Sequence, residues 1–343
     1  MSHWKMPSEC ALQEKIWMAF PPLGETFGTT DGEAAQARAS WIAVAHAILE
    51  FEPVTMLADP RDVATARELL HADIDIVAAP LNDAWLRDAG PTFVLNEQGE
   101  LGAIDWTFNG WGQQEWASWD KDAQLGKLVA ELAGAQLINS DMVNEGGGIH
   151  VDGEGTVLVT DTVQLDRFRN PDMSRNDVEA ELARTLGTTS TVWLPRGLYR
   201  DTQRFGTRGH VDIVATIPQP GTILLHRQGN PEHPDFFLYD VLRETFEDTT
   251  APNGRPWKIR DIPAPAVLKD DEGWVDYSYV NHLVVNGGVI ACSFDDENDA
   301  VAAQILAEVY PGRKVVTVDA RNIFAHGGGI HCITQHQPAA ARA

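Results

Sequence analysis

The stretch His326-Gly-Gly-Gly-Ile-His-Cys332-Ile-Thr-Gln-His336, close to the end of a 343-residue sequence, decides how the rest of the chain is read. Three glycines in a row let a backbone turn tightly and approach a ligand with no Cβ in the way. A cysteine follows, with His331 before it and Thr334, Gln335 and His336 behind. A thiol held at such a turn can be activated as a nucleophile by a nearby cation. An isolated cysteine is more often a buried apolar residue, but the polar neighbours favour chemistry here. The same five residues recur at Glu145-Gly-Gly-Gly-Ile-His150, with glutamate in front and valine behind. One Gly-Gly-Gly arises by chance; two copies of the longer string, bounded by ionisable residues, point to related modules facing a common centre.

Working outward, short apolar strands alternate with helical stretches along the whole chain. Helices are expected over Asp31–Phe51, after Asp59-Pro60, over Lys121–Ala133, from Ser174 to near Gly187, and over His233–Thr249 and Asn298–Tyr310. Strands are expected at Val54–Ala58, Ile74–Ala79, Gly102–Phe108, Gln136–Ile138, Thr156–Thr160, Thr191–Leu194, Thr222–Leu225, Ile259–Ile262 and Lys314–Val318, and within Val280–Ser293. That alternation places the chain in the α/β class. No Gly-Ser-rich or single-charge linker divides it, so one domain over residues 1–343 is expected.

Between these elements lie polar segments that carry the candidate chemistry. Trp85, Arg87 and Asp88 sit in Asn82–Pro91, which reads as a loop too polar for the core. It lines a cleft or is a surface turn with a local Arg–Asp pair. The loop Trp106–Trp119 is rich in tryptophan, and its indoles either wall a pocket or pack a long connection. In Gly209-His210-Val211-Asp212-Ile213-Val214 a strand would put His210 and Asp212 on one face, side by side.

Composition narrows the function. A formal charge of −24 argues against nucleic acid, which is bound through clustered Lys and Arg, and is compatible with a small cationic substrate. The three cysteines, Cys10, Cys292 and Cys332, form no Cys-x-x-Cys pair, and no metal-ligand or phosphate-loop spacing appears. The first ten residues lack the apolar core of a signal peptide, and no run reaches the roughly 20 apolar residues of a membrane span. The expectation is a cytoplasmic protein.

Together, Cys332, His210 and the carboxylates Asp88, Glu145 and Asp212 supply a nucleophile, an acid/base and acidic groups. Cysteine peptidases do not need two further carboxylates against the substrate. A planar guanidinium with forked N–H donors does, and its charge beside Cys332 would favour the thiolate.

The strings Trp85-Leu-Arg-Asp-Ala-Gly-Pro91, Glu145-Gly-Gly-Gly-Ile-His-Val-Asp-Gly153, Gly209-His-Val-Asp212, Tyr277-Ser-Tyr-Val-Asn281 and Gly327-Gly-Gly-Ile-His-Cys-Ile-Thr-Gln335 resemble those of the agmatine deiminase family. That family is grouped with the bacterial-type peptidylarginine deiminases and other guanidine-modifying enzymes. The resemblance runs from about Ile16 to Pro338. It implies a five-module, pseudo-symmetric α/β propeller around an axial active site. Cys332 would be the nucleophile forming an amidino-cysteine intermediate, His210 the general acid/base and Glu145 its orienting partner. Asp88 and Asp212 would grip the guanidinium, with Trp85 and Arg87 also counted at the substrate. The implied reaction takes agmatine and water to N-carbamoylputrescine and ammonia, with no cofactor. The implied partner is a small cationic guanidine, not nucleic acid or a membrane, and a homo-oligomer is allowed. Free or peptidyl arginine as substrate, amidino transfer to an amine, and guanidine binding without turnover are the alternatives. The sequence departs from the family at Pro7-Ser-Glu-Cys-Ala-Leu-Gln-Glu14, at Phe20-Pro21 and at Gly329.

Overall fold

A computed structural model describes residues 3–341. Its strands form five sheets of three or four strands and one short hairpin, Lys269–Asp270 with Gly273–Trp274. The sheets share one plan. A central strand pairs antiparallel with one neighbour and parallel with the strand that follows it across a helix.

Leu283–Val285, Gly288–Ser293 and Lys314–Asp319 illustrate it. The parallel crossover carries helix Asp299–Val309, as a parallel pair requires a long connection. Ala215–Gln219, Thr222–Arg227 and Lys258–Pro263 repeat the plan around helix Leu238–Glu247. His150–Val151, Thr156–Thr160 and Ser190–Leu194 repeat it around helix Arg175–Leu186. In the sheet containing Thr92–Asn96, Leu101–Thr107 and Gln136–Val143 the helix is Leu125–Leu132, and Trp4–Lys5 adds an edge. The remaining sheet takes its antiparallel strand from the far end of the chain. Thr334–Pro338 pairs with Gln13–Ala19, which continues in parallel to Val54–Ala58 and Asp75–Ala78.

Local sequence explains the helix ends. Thr30 and Glu33 form a reciprocal capping box that starts helix Asp31–Leu49, so Thr30 is the cap and Asp31 lies within the first turn. Ser174 and Asp177 do the same for Arg175–Leu186, and Gly187, at φ +69°, stops it. The helix expected at Asp59-Pro60 starts only at Val63, because Asp59 is drawn into hydrogen bonds with Arg61 and the Leu81 N–H. Helix Asp31–Leu49 buries Trp41, Val44 and Ile48 completely in the main apolar core, about 1.5–3 kcal/mol for each side chain. Among the described residues no helix is long and apolar enough to cross a membrane.

Two sequence expectations fail here. Asn82–Pro91 is not a loop too polar for the core: Ala84 to Pro91 is buried and Leu86–Ala89 forms a short helix, so of its two readings the surface turn falls and the cleft lining stands. Its polar groups are satisfied by distant partners, which local polarity does not reveal. Gly209–Val214 is not a strand either, since Val211–Ile213 is a single 3₁₀ turn. Gly209 is at φ +125°, and the His210 N–H is taken by the side chains of Asp201 (3.1 Å) and Thr207 (3.0 Å), so no ladder forms.

Candidate active site

The two glycine motifs and the two misread segments meet at one place. Gly147 marks its floor. A methyl group there would lie 2.5 Å from His210 Nδ1, 2.9 Å from Asp88 Oδ1 and 3.0 Å from Asp212 Oδ2. Only a residue without Cβ lets an imidazole and two carboxylates converge on one point.

Each of these groups is held from behind. Asp88 Oδ1 accepts the Gly147 N–H at 3.0 Å, and its Oδ2 accepts Trp111 Nε1–H at 2.9 Å. His210 Nε2 lies 3.2 Å from Glu145 Oε2, while His210 Nδ1 is 3.7 Å from Asp88 Oδ1 and has no hydrogen-bond partner within the protein. Glu145 in turn receives Arg169 Nε–H at 2.9 and 3.1 Å. Asp212 Oδ2 is 2.8 Å from His331 Nδ1, and Asp212 Oδ1 is buried without a protein donor. The free Nδ1 and Oδ1 are the atoms left for a ligand.

Cys332 Sγ lies 3.5 Å from Asp212 Oδ2 and accepts a hydrogen bond from Asn281 Nδ2 at 3.2 Å. Asn281 also fixes the loop, its Oδ1 taking the His331 N–H at 2.9 Å. The Arg87 N–H donates to the Cys332 carbonyl at 3.2 Å, tying the Asp88 helix to the thiol loop. Gly327, at φ +121°, lies where a Cβ would strike the Phe205 carbonyl.

Burial and charge set the protonation states. Burial alone would push the His210 imidazole down, but Asp88 and Glu145 outweigh it and raise it to about 9. Burial raises Asp88 to about 6 against the pull of His210. Glu145 is held at about 2, because Arg169 and His210 overcome its desolvation. Burial, then the charges of Asp212 and Asp88, push the Cys332 thiol well above its ordinary value. Burial and those two carboxylates therefore favour the protonated thiol.

The sequence-derived candidates are thus largely brought together: Cys332, His210, Glu145, Asp88 and Asp212 line one centre. Trp85 is buried beside the loop, its ring 3.0 Å from where a Gly328 Cβ would sit. Arg87 does not pair with its neighbour Asp88. Its guanidinium donates to the His331 carbonyl (3.2 Å) and Gln335 Oε1 (3.0 Å) and meets His336 Nδ1 at 3.0 Å, all on the cysteine segment. Of the tryptophan loop, Trp111 belongs to the site, and Trp116 stacks on it at 5.2 Å.

Sequence reasoning missed several participants. Glu9 Oε1 lies 2.7 Å from His331 Nε2, 3.7 Å from His150 Nδ1 and 3.9 Å from Arg87 Nη1. Burial raises its carboxyl, but His331 foremost brings it well below the usual range. Against burial and Arg87, Glu9 and Asp212 raise His331. Arg169, Trp111 and Asn281 were likewise unassigned. For Asn281 a signal existed, since it closes the Tyr277–Asn281 string.

Comparisons with known proteins give the family of the chain. The family model described as Porphyromonas-type peptidyl-arginine deiminase matches residues 5–338. A relative from Streptomyces coelicolor, which carries the provisional name agmatine deiminase, is 55% identical over 336 residues, 98% of this chain and 99% of its own. The agmatine deiminase of Pseudomonas savastanoi pv. phaseolicola is 38% identical over 361 residues, covering 98% and 96% of the two chains. The solved structure of the agmatine deiminase of Enterococcus faecalis superposes with a TM-score of 0.92 at 32% identity, over 98% of this chain and 96% of that one.

Proposed function

The chain belongs to the Porphyromonas-type peptidyl-arginine deiminase family, among its agmatine deiminases, and from that premise we propose that it hydrolyses agmatine to N-carbamoylputrescine and ammonia. It is a C–N hydrolase acting on a guanidine. The observation that carries the reading is the convergence of His210, Asp88 and Asp212 over Gly147, with the Cys332 thiol 3.5 Å from Asp212.

In this reading the guanidinium lies over Gly147 between Asp88 and Asp212. Its positive charge offsets the two carboxylates and lets Cys332 lose its proton to solvent. The thiolate attacks the guanidinium carbon and forms a C–S bond. His210, charged in the free protein, gives the Nδ1 proton to one NH₂ group, and the C–N bond breaks to release ammonia. The neutral imidazole then takes a proton from water, which attacks the amidino carbon. The C–S bond breaks, Cys332 leaves as thiolate, the new hydroxyl gives its proton to solvent as the C=O forms, and the ureido product departs. Glu145 holds the imidazole and stabilises its charged form, a positioning role.

The preference for a decarboxylated guanidine follows from the arginines. Arg87 is engaged on the cysteine segment, Arg200 on Asp270 and Glu272, Arg204 on Glu25 and Arg208 on Asp166. None is left to receive an α-carboxylate, whose unpaired burial costs several kcal/mol. The five sheets are read as five modules of one propeller-like catalytic domain, and the protein as cytoplasmic. Steady-state ammonia release tests the function. kcat/KM for agmatine is expected at least ~10²-fold above free arginine; equal rates, or a preference for arginine or peptidyl-arginine, would overturn it.

A further inference from the structure

A small cavity opens beside the cysteine loop, walled by Phe205, Gly206, Phe324 and Gly327, with Arg200, Arg204 and Asp276 as its polar groups; Arg204 is engaged by Glu25 at 2.8 Å. Asp276 follows the Gly273–Trp274 strand and is only 9% exposed. No other residue hydrogen-bonds to its carboxylate among the described residues; its own backbone N–H is the donor that reaches it. Arg200 faces it, but the Arg200 guanidinium is held by Asp270 (3.1 Å), Glu272 (2.8 Å) and the Trp274 carbonyl (3.2 Å). Asp201 and Asp235 add negative charge nearby, and burial with these neighbours raises Asp276 to about 7. A buried carboxylate without a cationic partner is costly, which makes it a candidate for a ligand's charge.

Three connections place this cavity against the reaction centre. Gly327 in its wall adjoins Gly328, where a methyl group would lie 2.9 Å from Cys332 Sγ. Asp201 beside Asp276 accepts the His210 N–H. Phe205 meets Trp116 edge-on at 5.0 Å, Trp116 stacks on Trp111, and Trp111 donates to Asp88. Aromatic contacts therefore link the Asp88 carboxylate to the Asp276 cavity, whose wall carries Phe205 and Phe324 and whose buried acid is Asp276. That is the complement of a guanidine with a methylene arm and a terminal ammonium.

The geometry points to Asp276 as the residue that receives the tail ammonium of the substrate, with Phe205 packing against the methylene arm. The inference rests on the deiminase reading above and adds the group that selects the tail. It also supplies a reason for excluding arginine. An α-carboxylate would sit beside Asp276, where repulsion joins desolvation.

The experiment compares agmatine with n-pentylguanidine, which has the same reach and no ammonium, on the wild type and on Asp276→Asn. For the wild type, kcat/KM is expected ~10²-fold or more higher for agmatine. Asp276→Asn should remove most of that gap, through KM more than kcat, with a loss on pentylguanidine at least ten-fold smaller. A wild type that treats the two guanidines alike overturns the inference without any variant, as does a folded Asp276→Asn that keeps the wild-type gap. A wild type that releases ammonia from no guanidine overturns the deiminase reading, and this inference with it.

Discussion

Glu9 and His331, 322 residues apart in sequence, share a 2.7 Å hydrogen bond that sets the charge behind Asp212. Glu9→Gln keeps an acceptor oxygen and removes the charge. The His331 pKa should fall, Asp212 should lose its counter-charge, and kcat/KM should drop by about ten-fold, with folding stability lower by about 1–3 kcal/mol. Glu9 is held below the ordinary carboxylate range, so its stabilisation is present above pH 4.5 and lost as pH falls through its folded value. NMR titration of His331 with thermal unfolding checks this; an unmoved imidazole would sink it.

Cys332→Ser should abolish turnover while a guanidine still raises Tm, because the carboxylates that grip it remain. Mass spectrometry of the wild type quenched during turnover should show an amidino adduct on Cys332. Substantial ammonia release by the serine variant would contradict nucleophilic catalysis by this thiol.

The imidazole raised to about 9 sets the alkaline limit. kcat/KM should hold through neutrality and fall as pH passes about 9, where His210 loses the proton it must donate. The stabilising effect of this raised group is complete below its ordinary value near 6.5 and is lost through the same upper range. Glu145→Gln removes one anion and should move the limit to lower pH. It also strands Arg169, buried, at a cost of about 3–5 kcal/mol. A pH profile that does not shift would deny Glu145 its positioning role.

Gly147→Ala should reduce turnover by at least ~10² with secondary structure retained. The added methyl group occupies the point that His210, Asp88 and Asp212 share, and local overpacking typically costs only 1–3 kcal/mol. Circular dichroism beside the ammonia assay separates occlusion from unfolding; near-normal activity would show that the ligand binds elsewhere.

What could be read from sequence was local. The repeated Gly-Gly-Gly-Ile-His string, the Ser174 capping box and the strand–helix alternation depend on neighbours within a few residues, and the structure has them. Glu145 and Cys332 stood out beside glycine-rich turns, Asp88 in a polar loop, and Asp212 through its spacing from His210, and the family resemblance then joined them. Glu9, Trp111 and Arg169 carry no local sign, since their partners are supplied by segments distant in sequence. The strand read at His210–Val214 failed for the same reason. Asp201 and Thr207 capture the backbone, and nothing in residues 209–214 announces it.

The acid cluster also makes the site a weak point in the fold. Asp88 is pushed to about 6 by burial and by Asp212 and Glu145, so above that pH its ionised form works against folding. A variant such as Asp88→Asn should relieve that penalty above about pH 9, where His210 is neutral and no longer draws on the Asp88 charge, and there melt at a higher temperature than the wild type while losing activity. Selection for heat resistance alone would therefore erode this enzyme from its centre outward.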